Sequence, residues 1–125
     1  MKPRDTALRL KRFEASEKAR KVGSIETMIL DFEHMSADLS RQITAEEERT
    51  GVRDPAHFAY STFAKAAALR RANLQTSVAD LRVKLDAARA EHDEAVTELR
   101  KLEPIETREI ERPMRKSDPS SAVIG

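Results

Sequence analysis

Two long stretches of this chain place apolar residues at alternating three- and four-residue steps, and a glycine followed by Asp-Pro lies between them. A period of about 3.5 residues, held over several heptads, marks helices that bury a narrow stripe along another helix. In the first stretch Val22, Ile29 and Ile43 take heptad position a, and Ile25, Phe32 and Leu39 take d. Met28 and Met35, at g, widen that stripe. In the second stretch Leu74, Leu81, Ala88, Ala95 and Leu102 take d, while Val78, Leu85, His92 and Leu99 take a. The second stripe runs back through Arg71, Ala67, Ala64 and Tyr60 without a break in phase.

The punctuation divides the chain. Between Asp5 and Thr50 there is no proline and one glycine, Gly23, which falls at the outward b position and leaves the seam closed. Gly51 suits a left-handed cap at the end of the first helix. Asp54-Pro55 then reads as an N-cap with proline at the first helical position. The expected layout is therefore a helix over 5–50, a turn over 51–54 and a helix over 55–103. Residues 55–62 have an irregular stretch with a restart at Ser61 as the alternative. Pro104 ends the second helix at Glu103. A weak extension to residue 111 follows, and 112–125, with Pro113, Pro119 and several Ser residues, reads as a disordered tail.

Two amphipathic helices joined by a short turn bury their stripes on each other at little loop-closure cost. The fold class expected is all-α, a long antiparallel two-helix coiled-coil hairpin over residues 1–111, monomeric when free. One register sets Ile29 against Leu81, Phe32 against Val78, Ile25 against Leu85 and Val22 against Ala88. A register one heptad away sets Phe32 against Arg71 and Lys18 against Leu85, so the first is preferred. Helices of about 45 residues make a rod about 70 Å long.

Composition fits a thin seam better than a globular core. Charged residues make up 36% of the chain and aromatics 4%. The formal net charge of +1 supplies no global attraction for nucleic acid or anionic lipid. There is no cysteine, which excludes disulfides and thiolate metal sites and suits a reducing compartment. No apolar run approaches a membrane span or signal-peptide core, so a soluble intracellular protein with no membrane insertion is expected. His34, His57 and His92 have no metal-ligand spacing, and no phosphate loop or nucleophile set occurs. The expectation is no catalytic residues, no cofactor, no metal and no enzyme activity. His92 reads as a register-setting polar residue facing Lys18 or one that reaches out to solvent, with a pH-sensitive contact as the sharper alternative, and Glu46-Glu47-Glu48 reads as a solvated face.

Two patches stand above ordinary solvated charge. The first lies at the basic beginning, where Lys11 and Lys18 occupy d and Leu10 and Phe13 move to another face. An apolar pair amid basic residues suits a partner-binding helix end. The second runs from Asp54 to Phe63 and holds Phe58, Tyr60 and Phe63, two of the four phenylalanines and the single tyrosine. Aromatics there either anchor a partner or seal the end of the coiled coil.

The opening from Lys2 to Phe13, the acidic run Ala45 to Arg49, Asp54-Pro-Ala-His-Phe-Ala-Tyr60 and the following Thr62-Phe-Ala-Lys-Ala-Ala resemble the flagellar export protein FliJ family of alphaproteobacteria. The resemblance covers residues 2–103. It departs where Ser61 follows Tyr60 in place of the family's Tyr-Pro, and in the proline-interrupted tail. It implies a cytoplasmic component of the flagellar type III export apparatus, peripherally associated with the inner membrane. The implied partners are the hexameric export ATPase, the membrane export gate and export chaperones. It implies an ATPase-facing set of Leu8, Leu10, Lys11, Arg12 and Phe13 with Arg100 and Lys101. A tip or lateral set of Phe58, Tyr60, Phe63, Arg70 and Arg71 is the candidate for other partners. A nucleic-acid-associated protein using the basic N-terminus, or a purely structural coiled coil, are the competing readings.

Overall fold

The computed structural model describes residues 3–103. The expectations for the tail and for the extension to 111 lie outside the described residues. The chain forms α1, Pro3–Thr50, and α2, Thr62–Leu102, packed along each other as a hairpin. α1 ends as its sequence requires. Gly51 takes φ 75° and its N–H donates to the Glu47 carbonyl at 2.9 Å. A residue with a Cβ would be strained there.

The second helix starts later than the Asp54-Pro55 signal suggests. Asp54 caps a turn rather than a helix: its Oδ1 accepts from Ala56 N at 2.9 Å and its carbonyl from His57 N at 3.0 Å. Ser61 is the true N-cap, with Oγ accepting from Ala64 N at 3.1 Å. The register explains the delay. Pairing Ile29 with Leu81 brings Thr50 opposite Tyr60, so residues 51–59 are what remain to cross between the axes. A helix begun at Pro55 would carry its first turn past the end of α1, where no partner helix remains to bury it.

The apolar seam is gathered into blocks. The middle block joins Ile25, Ile29, Val78, Leu81, Leu85 and Ala88, with Val22 and Phe32 packed on it. The block near the turn joins Leu39, Ile43, Ala64 and Ala67, with Tyr60, Ala68 and Leu74. Between them Ser36 occupies an a position of α1, and within the block near the turn Arg71 occupies a seam position of α2. Arg71 turns its guanidinium to Ser40, with Nη1 donating to Oγ at 3.0 Å. At the open end Leu8 and Ala15 are also buried.

Charged pairs across the seam agree with the preferred register. Arg82 meets Glu33 at 2.6 Å and Arg89 meets Glu26 at 3.0 Å. On the opposite flank Lys18 and Lys21 both reach Glu91, at 3.2 and 3.4 Å. Each half-exposed pair adds little stability. A slip of one heptad, however, would set Lys21 against Lys84 and remove the Glu91 pairs, so the charges select among apolar alignments.

Candidate functional site: the two ends of the rod

The basic end is built by α1 alone on its outer side. Leu10 and Phe13, one turn apart, point away from α2 and are 54% and 61% exposed. Arg9 and Arg12 flank them, both exposed. Lys11 is half-buried and its Nζ lies 3.4 Å from Glu14. From α2, Arg100 and Lys101 are exposed at the same end, with Lys101 paired to Glu98 at 3.4 Å. Leu8 departs from its expected surface role: at 6% exposure it belongs to the seam, facing the last turn of α2. Leu10 and Phe13 therefore form the apolar part of this patch without it.

The turn end is held by side chains that reach back to α1. Tyr60 is half-buried, and its hydroxyl donates to Glu47 Oε2 at 2.6 Å. Ser61 Oγ donates to Glu46 Oε1 at 3.0 Å while accepting from Ala64. Glu46 also binds Arg49, and hydrogen bonds from Arg49 and Ser61 hold its carboxyl below the usual glutamate range. The Glu47 bond, aided by desolvation, raises the Tyr60 phenol above its ordinary value. Glu46 and Glu47 thus clasp the turn, and only Glu48 of the acidic run keeps the solvated role expected for all of it.

The aromatic set divides. Tyr60 packs on the apolar block near the turn. Phe58 and Phe63 face solvent, at 96% and 55% exposure. The His57 ring stacks on Phe58, centroid to centroid 4.7 Å with 23° between planes. Of the two arginines proposed on the flank, Arg70 is exposed and lines a groove with Met35, Asp38, Leu39 and Gln42, whereas Arg71 is drawn into the seam.

The heptad reading overlooked a second lateral feature. On the flank crossed by the Glu33–Arg82 pair, open hollows of about 360 Å³ lie on either side of that pair. One contains Ser36, Gln75 and Val78, and the other Ile29, Leu30 and Leu85. Leu30, a leucine at the outward b position, was the available signal. His57 falls within the turn patch in the sequence, but its structural role in the turn has no spacing signature.

Among the described residues, no helix is long and apolar enough to cross a membrane. Among the same residues, no group of three or more His, Cys, Asp or Glu side chains could hold a metal ion. No family model, curated protein or solved structure matches the chain.

Proposed function

We propose that this chain is a coupling rod of a flagellar type III export apparatus, without catalytic activity of its own. Its basic end engages the hexameric export ATPase, and its turn end or flank engages the membrane export gate and export chaperones. In this reading it works in the cytoplasm and is held at the inner membrane by those partners. The observation that carries the proposal is the stiff antiparallel hairpin with Leu10 and Phe13 displayed among arginines on the outer face of one end. The sequence resemblance of residues 2–103 supplies the identity of the partners. A rod with distinct surfaces at separate ends can transmit the position of one partner to another.

The competing nucleic-acid reading has weaker support. Arg82 and Arg89 of α2, which a basic stripe would need, are engaged by glutamates of α1.

Binding of the purified chain to the export ATPase, followed by a change in its assembly or turnover, is the expected result. Leu10→Asp combined with Phe13→Asp should weaken that binding at least about 10-fold while circular dichroism keeps its helical signal, because neither side chain contributes to the seam. Binding that persists in the double variant would reject this end as the ATPase site.

A further inference from the structure

The face of α2 turned away from α1 carries a second row of uncharged side chains. Leu69, Thr76 and Val83 at f and Ala72 and Ala79 at b follow the same three- and four-residue steps as the inner seam, and all five are exposed. Leu69 and Val83 are 65% and 71% exposed. Thr76 Oγ1 donates to the Ala72 carbonyl at 3.1 Å, which satisfies the hydroxyl donor within the helix. From residue 20 onward the f positions of α1 hold Arg20, Thr27, His34, Arg41 and Glu48, so the back of that helix is polar. A two-helix hairpin uses one seam on each helix, and the outer row of α2 is surplus to it.

The charges at the ends of the row indicate what covers it. Lys65 closes it on the turn side, and Asp80 and Asp86 lie one turn to either side of Val83 at the other end. Among the described residues none of the three takes part in an ion pair. Along the helix Lys65 is about 22 Å from Asp80 and about 32 Å from Asp86, so they do not meet within one chain. A helix that matches this row brings acid to the turn end and base to the far end. The same row of α2, laid antiparallel, does both.

We propose that this row is a self-association surface, through which two hairpins pair back to back and antiparallel with α1 on the outside of each. In such a pair f positions face b positions with a constant sum. Setting Ala72 against Thr76 puts Leu69 on Ala79 and Lys65 on Val83, with a two-fold axis at the height of Leu74. Each Lys65 then lays its stem over Val83 of the other copy and its ammonium between Asp80 and Asp86. On the flanks Asn73 faces Asp80, Gln75 faces its own counterpart and Arg82 faces Ala68, so no like charges are opposed. A shift of one heptad would set Leu69 against Asp86 and Asp80 against Asp80. A parallel pair would set Lys65 against Lys65 and Asp86 against Asp86. An anionic lipid surface would be repelled by Asp80 and Asp86.

The contact spans about three heptads, at the small end of specific interfaces. Half-association is therefore expected at roughly 10–100 µM, and the dilute chain remains the single hairpin. In the pair the Leu10–Phe13 ends point in opposite directions. None of this rests on the export reading.

Sedimentation equilibrium of the purified chain from about 1 µM to about 1 mM should show a reversible doubling of mass. Lys65→Glu should weaken association at least about 10-fold, because a two-fold contact counts the change twice, with the thermal midpoint of the dilute chain unchanged. Adding Asp80→Lys and Asp86→Lys to Lys65→Glu should restore association. The chain has no cysteine of its own. Ala72→Cys chains mixed with Thr76→Cys chains should therefore crosslink under mild oxidation faster than either chain alone. A chain that stays monomeric throughout the range overturns the proposal. A doubling that Lys65→Glu leaves unchanged, or crosslinking of Thr76→Cys chains chiefly with themselves, overturns this interface. Sedimentation with phosphatidylglycerol vesicles that is lost in Val83→Asp overturns it in favour of lipid.

Discussion

Glu91 receives two lysines from the opposite helix, and the Lys18 hydrogen bond, followed by its charge and then by Lys21, holds the carboxyl below the usual glutamate range. A carboxyl depressed in the folded state contributes stability above its unfolded pKa and loses it as pH falls through the folded value. The thermal midpoint should therefore drop on acidification below the ordinary glutamate range. Glu91→Gln should show a shallower drop over that window and converge with the wild type at the acid end. Parallel profiles would show that the pair adds nothing. Little of this was legible beforehand. Heptad positions identify which flank a charge occupies, but Lys18, a d residue, leaves the seam for Glu91 only because the facing position is His92 and offers no anion. The same holds for Leu8, which sits where two weakened stripes meet. Its burial depends on the last turn of α2 lying beside it, and only the register supplies that.

At the level of elements, helix existence was clear from periodicity, and the start of α2 was not. Asp-Pro is a start signal with two outcomes, a helix or a capped turn, and local sequence does not choose between them. The end of α1 at Thr50 chooses, because α2 residues before Tyr60 would have no helix beside them, and it favours Ser61. Ser61→Ala removes both the cap on Ala64 and the tie to Glu46, and should cost about 1 kcal/mol of stability, readable as a lower midpoint in thermal or urea melts. Asp54→Ala should perturb the turn while leaving the helical content of α2 intact, since α2 does not begin there. A comparable loss of helix signal in both variants would return the start of α2 to Pro55.

For the whole molecule, the pairing direction was legible, and the heptads narrowed the register to two alignments, of which the apolar runs favoured one. The preferred alignment keeps Phe32 on Val78 and away from Arg71, and the structure gathers these residues accordingly. Cysteines replacing Ile29 and Leu81 should crosslink within one chain under mild oxidation, and small-angle scattering should give a rod about 70 Å long. Failure to crosslink, with a particle twice that length, would mean that the halves pair between chains. What periodicity conceals is that a continuous stripe can still be mechanically uneven. On α1 the seam position between the two apolar blocks is Ser36, so that span lacks an apolar side chain from one of its helices. A beam clamped in two places bends most readily in the gap, so lateral force on one end would reach the other through a built-in compliance that lies nearer the turn than the open end.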